Sequence, residues 1–388
     1  MELPKELLTR GVQDVVPRDV AEEKLKSGKK LRLYLGIDPT GNKLHLGHSV
    51  PLRKLKAFAD AGHHVIFLIG SFTGMIGDPS GRDEMRKPLT REEIEENFRT
   101  YKKQAEKILD FSKIEIRYNH EWLSKLSFEE ILSLAKYFTL QQMMKREMFV
   151  RRMKDEMPIS FVEFFYPLMQ GYDSVALDVD LEVGGNDQLF NMLAGRTLMQ
   201  VMKKKEKFVI TTKLIEGTDG QKMSKTYNNC VYLTDPPDEM YGRIMSMPDN
   251  LIPVYMECCT DIPIAEVKAA EEALKIGKEN PKYLKMRLAR EIVTIYHSKT
   301  EAEKAESGFE NVFKNKGIPD DIPEYEAKKG ESLIDALVTS NTVSSKSEAR
   351  RLIGQGGVKL DDKTVFATDT KAGKGIYKVG KRKFLRIS

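Results

Sequence analysis

A chain of 388 residues, 40% hydrophobic and 31% charged, has the composition of a globular protein large enough for two or three domains, and no run approaches the roughly 18 apolar residues of a membrane span. The net charge of +5 is uneven: residues 331–388 carry 12 Lys and Arg against 6 Asp and Glu, leaving the rest close to neutral. A basic tail points to a polyanion at that end, and three cysteines without metal-ligand spacing (Cys230, Cys258, Cys259) point to reduced thiols in the cytoplasm.

Residues 1–30 are charged and periodic and predict one or two short helices. The first five residues have no apolar run, so no targeting segment is expected there. The apolar run 31–37 predicts a strand and feeds Asp38-Pro39-Thr40-Gly41-Asn42, which is turn chemistry. His45-Leu46-Gly47-His48 then opens a helical pattern with Leu52, Leu55 and Ala59 on one face, and Pro51 is expected in its first turn, where proline is tolerated. Residues 65–69 predict a second strand, completing a βαβ unit with a right-handed crossover. Its two histidines stand where free N–H groups and the positive helix end attract an anion. Segment 70–81 is too rich in Gly, Ser and Thr to be core, and it follows a parallel strand, where open α/β sheets bind ligands.

Three capping boxes follow: Thr90 with Glu93, Ser127 with Glu130, and Thr139 with Gln142. They predict a charged helix near 90–109, a helix with Phe128, Ile131, Leu132, Ala135 and Phe138 on one face, and a Met-rich segment running to Phe149. Met143, Met144, Met148 and Phe149 suit either a partner surface or the subunit's own interior. Tyr166, Gln170 and Asp173, at i, i+4 and i+7, share one face of a helix and can converge on one ligand; the alternative leaves Gln170 and Asp173 in solvent. Residues 174–183 alternate through Val175, Leu177, Val179, Leu181 and Val183 and predict a strand, and 208–211 predict another. From 227 to 313 the pattern is helical, with Leu284, Leu288, Ile292 and Ile295 in one stripe, and 314–329 reads as a linker.

His45-Leu46-Gly47-His48 resembles the HIGH motif of class I aminoacyl-tRNA synthetases. Lys222-Met223-Ser224-Lys225-Thr226 resembles their KMSKS motif, with Thr226 where serine is commoner. Either alone is weak; both, in this order, are strong. The surrounding residues narrow the resemblance to bacterial-type tyrosyl-tRNA synthetases over nearly the whole chain. It implies an α/β, Rossmann-like parallel-sheet catalytic domain over 1–226, with a helical dimerisation insertion at about 120–165. It further implies an α-helical anticodon-binding domain over 227–315, a linker over 316–330, and a small α+β S4-like RNA-binding domain over 331–388, made of two short helices and a small sheet. A cytoplasmic homodimer acting on tRNA(Tyr), tyrosine and ATP is implied, with Mg²⁺ arriving on the nucleotide and no metal site or tightly bound cofactor of its own.

The implied chemistry has two steps. Tyrosine attacks the α-phosphate of ATP, giving tyrosyl-adenylate and pyrophosphate, and the tyrosyl group passes to the terminal adenosine of the tRNA. A carboxylate is already nucleophilic, so positioned donors and cations supply the acceleration. By analogy, Thr40 and His45 meet the triphosphate, His48 the ribose side, and Lys222 and Lys225 the leaving pyrophosphate. Gly36, Asp38, Gly47, Gly185 and Asp187 complete the ATP site, with Asp187 on ribose hydroxyls. Tyr34 and Asp173 meet the substrate phenol; Asp78, Tyr166 and Gln170 hold its amino group, and Gln188 sits near its carboxylate or amino group. Arg350, Arg351, Lys359, Lys381, Arg382 and Lys383 are candidates for RNA phosphates. Two rivals stay open: a tryptophanyl-tRNA synthetase, which Tyr34, Gln170 and Asp173 disfavour, and a non-catalytic RNA-binding paralogue, which the intact His45, His48, Lys222 and Lys225 disfavour.

Overall fold

The computed structural model describes residues 6–80, 89–224, 227–314, 322–328, 330–361, 363–380 and 383–388, so Lys225, Thr226, Lys381 and Arg382 lie outside the described residues. Packing divides the chain into two compact units, Met1–Pro236 with Arg243–Ser298, and Pro237–Gly242 with Lys299–Ser388.

The first unit is built on six strands, β1 (Val12–Val16), β2 (Arg32–Ile37), β3 (His64–Ile69), β4 (Ile114–Tyr118), β5 (Leu181–Gly185) and β6 (Phe208–Thr212), in the order β1-β6-β5-β2-β3-β4. Strands β2 to β6 are parallel, and β1 joins β6 antiparallel. Parallel strands covered on both faces need near-continuous apolar sequence, and β3 and β6 supply it: Val65 to Ile69 and Phe208 to Ile210 are all buried. From β2 the chain steps outward to β3 and β4, then returns to the other side of β2 for β5 and β6. The order therefore reverses between β2 and β5, and ligand sites open beyond the carboxyl ends of such a pair.

All three capping boxes form, opening the helices Arg91–Ala105, Phe128–Ala135 and Leu140–Met144. Elsewhere local structure departs from expectation. Residues 1–30 hold a strand, β1, ahead of the helix Arg18–Lys26; at five residues it is too short to alternate legibly, and its ladder comes from β6. The helix Tyr166–Leu177 runs through half of the expected strand, and Asp178 ends it in the left-handed region at φ 49°. Its packing along the helix Leu189–Leu198 overrides the local alternation, so β5 starts only at Leu181. The helix after the histidine turn spans Leu46–Asp60, which puts Pro51 in the second turn and removes the N–H that would bond back to Gly47. Segment 70–80 is interior: Ser71, Thr73, Asp78 and Ser80 are buried, because their polar groups find partners inside the unit.

The Met-rich segment breaks into the helices Leu140–Met144 and Glu147–Lys154. Met143, Met148 and Phe149 point inward and are buried in their own chain. The apolar surface left outside is a different set, Phe128 at 73% exposure and Phe161 at 72%, with Leu132, Leu140, Val150 and Met153. Three further helices, Ile252–Cys259, Ile264–Lys275 and Pro281–Tyr296, belong to this unit, with Leu284, Leu288 and Ile292 buried.

The second unit carries a sheet of β7 (Glu324–Tyr325), β8 (Val358–Leu360), β9 (Lys363–Thr364), β10 (Gly375–Val379) and β11 (Lys383–Ile387), in the order β7-β11-β10-β8-β9. The helices Leu333–Thr339 and Lys346–Gly354 close its core through Leu333, Leu337, Ala349 and Ile353 against Tyr377 and Leu385. Among the described residues no helix is long and apolar enough to cross a membrane.

Candidate active site

A cavity of about 200 Å³ opens where the strand order reverses. Of the residues expected from sequence, Tyr34, Gly36, Asp38, Thr40, His48, Asp78, Tyr166, Gln170, Asp173 and Gln188 all line it. His45, Gly47, Gly185, Asp187 and Lys222 do not line it and are placed around it as follows.

The histidine turn is self-supporting. His45 is the N-cap of Leu46–Asp60, and its backbone N–H donates to Nδ1 of His48 at 3.2 Å. A neutral His48 that accepts at Nδ1 carries its proton on Nε2, as a donor for the cavity it lines. The two imidazoles stack with centroids 3.8 Å apart. Gly47 makes room: a Cβ there would stand 3.0 Å from the His45 ring and 3.4 Å from Met223 Sδ. The lysine stretch therefore touches the histidine turn. A second tie fixes the turn, since Leu46 N–H donates to Val231 O and Leu233 N–H to Leu44 O, both at 2.9 Å, with His45 bridging Tyr232.

The stretch itself is braced by Asn229, which is buried. Its Nδ2 donates to Asp219 Oδ1 at 2.7 Å and to Lys222 O at 3.1 Å, and its Oδ1 accepts from Ser224 N–H at 2.8 Å. Lys222 is exposed, its backbone in an antiparallel β-bridge with Glu216. Asp187, just past Gly185 at the end of β5, is exposed and accepts from Gln188 Nε2 at 3.3 Å.

Asp38 and Asp78 anchor the middle of the cavity. Asp38 accepts from Thr73 Oγ1 and from the Tyr166 hydroxyl, both at 2.7 Å. It lies so close to Gly70 that a Cβ there would stand 1.8 Å from its Oδ1. Asp78 accepts from Ser80 N–H at 2.9 Å and from Gln188 Nε2 at 2.7 Å. Arg146 donates to Ser80 Oγ at 2.7 Å behind it, and burial lowers that guanidinium to about 10.

The floor is the most buried part. The Asp173 carboxylate accepts from Trp122 Nε1 at 2.7 Å and Asn119 Nδ2 at 3.3 Å. Burial drives its carboxyl well above the usual carboxylate range against those two donors. Tyr34 has no solvent exposure, and burial followed by the charges of Glu182 and Asp173 raises its hydroxyl well above its ordinary value, so it stays a phenol. Gln170 donates from Nε2 to Glu182 Oε1 at 2.9 Å, so both Tyr166 and Gln170 make bonds within the chain beside any ligand contact.

Sequence reasoning missed Trp122 and Asn119, which hold Asp173, and Glu182, Ser174 and Lys207 beneath Tyr34. One signal was available: an acidic residue inside β5 and a lysine leading directly into β6, beside apolar runs typical of buried parallel strands, demand partners. In the second unit Arg350, Arg351 and Lys359 are exposed, and Lys383 donates to Thr342 O at 2.8 Å. Lys359 sits directly across from Lys378 on β10, a like-charge pair that an anion would relieve.

A doubly wound sheet with a paired-histidine turn at its switch point and a lysine stretch resting on that turn defines a nucleotide-using class I synthetase. The chain belongs to the family described as tRNA synthetases class I (W and Y), which matches residues 26–314, and residues 315–384 match a Tyrosine--tRNA ligase SYY-like C-terminal domain. Its place in that family is with the tyrosine–tRNA ligases. It is 46% identical over 387 residues to the Tyrosine--tRNA ligase of Thermotoga maritima, covering 98% of this chain and 96% of that one. It is also 46% identical over 399 residues to that of Carboxydothermus hydrogenoformans, covering 98% and 97%. Among solved structures, tyrosyl-tRNA synthetase from Archaeoglobus fulgidus complexed with L-tyrosine superimposes with a TM-score of 0.64 at 25% identity, over 79% of this chain and 100% of that one.

Proposed function

We propose that this chain makes tyrosyl-tRNA from tyrosine, ATP and tRNA(Tyr) with the residues described above. The observation that carries the reading is a buried hydroxyl–carboxylate floor, Tyr34 and Asp173, in the same cavity as His48 of the anion-facing turn. The substrate phenol donates to Asp173 and meets Tyr34, while Asp78, Tyr166, Gln170 and Gln188 surround its amino and carboxylate groups.

The tyrosine carboxylate oxygen attacks the α-phosphorus, the bond to the bridging oxygen breaks, and pyrophosphate leaves. Negative charge grows on phosphate oxygens, so donors at Thr40, His45 and His48 and the cations Lys222 and Lys225 stabilise the transition state more than the ground state. Gly36, Asp38, Gly47, Gly185 and Asp187 border the nucleotide. A terminal-adenosine hydroxyl of the tRNA then attacks the acyl carbon and AMP departs. Mg²⁺ arrives with the triphosphate, whose charge it offsets.

The assembly is a cytoplasmic homodimer. The exposed Phe128, Leu132, Leu140, Val150, Met153 and Phe161 support a self-association face on the insertion at about 120–165, and three buried free thiols suit a reducing compartment. The chain works as a catalytic domain over 1–226, a helical anticodon-binding domain over 227–315, a linker over 316–330 and an S4-like domain over 331–388. RNA phosphates engage Arg350, Arg351, Lys359, Lys381, Arg382 and Lys383.

Amino-acid-dependent exchange of labelled pyrophosphate into ATP tests the reading. Tyrosine should drive it far better than any other natural amino acid; exchange driven equally by tryptophan, or none with any amino acid, would reject it.

A further inference from the structure

Beneath the floor lies an ion pair that the chemistry above does not use. Glu182 of β5 and Lys207, just ahead of β6, are 1% and 0% exposed and bonded to each other. A buried ion pair is a poor way to gain stability compared with apolar packing. The third party here is Ser174 on the helix Tyr166–Leu177: Lys207 Nζ donates to Ser174 Oγ at 2.7 Å and to Met192 O at 3.2 Å, which fully commits the ammonium.

The directions of these bonds can be worked out. An ammonium only donates, so Ser174 Oγ accepts from Lys207 and has one proton left to give. Two acceptors are in range, the Tyr34 hydroxyl oxygen at 3.0 Å and Glu182 Oε2 at 3.4 Å. The nearer is Tyr34. If Ser174 donates to Tyr34, the Tyr34 proton must point elsewhere. Within the chain it has the Gln170 carbonyl at 3.3 Å, which is long for an O–H donor, and the Glu182 carboxylate, whose two oxygens already accept from Lys207 and Gln170. A ligand oxygen in the slot is the better acceptor. On the far side Asp173, already braced by Trp122 and Asn119, can only accept when ionised.

We propose that Lys207, Glu182 and Ser174 are positioning residues that fix the direction in which the Tyr34 hydroxyl donates into the slot. This rests on the reading that Tyr34 and Asp173 meet the substrate phenol. The chain of bonds runs one way, Lys207 to Ser174 to Tyr34 to substrate oxygen to Asp173, and bonds aligned in sequence polarise one another. Gln170 joins through Glu182 Oε1, tying the same pair to the polar wall above. The helix Leu189–Leu198 gives way to it: a Cβ on Gly195 would stand 2.6 Å from both Lys207 Nζ and Ser174 Oγ.

The test is pyrophosphate exchange by the full chain, with tyrosine and with phenylalanine, for Ser174→Ala, Ser174→Thr, Gly195→Ala, Tyr34→Phe and the double variant Ser174→Ala/Tyr34→Phe. Ser174→Ala and Gly195→Ala should raise the tyrosine KM roughly tenfold, the size of one lost hydrogen bond. They should leave kcat, the ATP KM and phenylalanine use unchanged. Ser174→Thr keeps the hydroxyl and should keep the preference for tyrosine. In the Tyr34→Phe background Ser174→Ala should add nothing. Equal losses with tyrosine and phenylalanine, or additive losses in the double variant, would overturn the proposal. An unaltered preference in Tyr34→Phe would instead remove the reading of the slot on which it rests. Should the variants fail to fold, the unmutated chain still decides: 4-aminophenylalanine can donate to Asp173 but accepts poorly, and should be used at least roughly tenfold less well than tyrosine. Parity would overturn the proposal.

Discussion

Asp173 is the residue where sequence and structure meet most closely. Its position on a helix face with Tyr166 and Gln170 was readable from spacing alone, and all three line the cavity. What holds it was not readable, because Trp122 and Asn119 come from the segment after β4 and nothing local marks them as partners. The Asp173→Ala substitution should therefore act twice. It should erode the preference for tyrosine over phenylalanine in pyrophosphate exchange. It should also lower stability by about 1 kcal/mol in urea unfolding, because the half-buried Trp122 indole N–H is left without its acceptor. Asp173→Asn, which keeps an oxygen for Trp122, should recover much of the stability and little of the preference. The thiols give a control for native packing. Burial pushes Cys258 up to about 12 and Cys259 higher still, and Cys230 is buried too. A thiol-reactive dye at mildly alkaline pH should label none of the three until urea is added; rapid labelling of the native chain would contradict that packing.

Elements were legible where their signal is local. The capping boxes and the histidine turn of the βαβ unit are each written in a few consecutive residues. β1 and the end of the helix Tyr166–Leu177 depend on neighbours far along the chain, so local alternation misled there. The lysine stretch shows both sides. Its motif is local, but its order comes from Asn229, whose side chain spans Asp219, Lys222 and Ser224. Asn229→Ala should lower kcat for pyrophosphate exchange by roughly 10- to 100-fold, the cost of cations held loosely rather than in place. The tyrosine KM should stay put, because the slot lies at the other end of the cavity. An unchanged kcat would mean that the brace has no part in the chemistry.

Across the whole molecule, the charge imbalance between tail and body was plain from composition, and the second unit now shows where part of it lies. Lys359 and Lys378 face each other on adjacent strands, a pair that spacing in sequence could not reveal. Deleting residues 331–388 should spare tyrosine-dependent exchange and weaken aminoacylation. Lys359→Ala and Lys378→Ala should each weaken tRNA binding and shrink the dependence of log affinity on log salt by about one. Equal loss of both half-reactions on deletion would assign the tail a purely structural role. The tie between residues 44–46 and 231–233 carries a different message. It hangs the lysine stretch from the strand-like segment that presents the first histidine, while Asp173 in the floor of the slot hangs from the helix Tyr166–Leu177. The carboxylate of the slot and the phosphate chemistry are mounted on separate brackets. An engineer widening the slot for an unnatural side chain would be working on one bracket with the other left bolted in place.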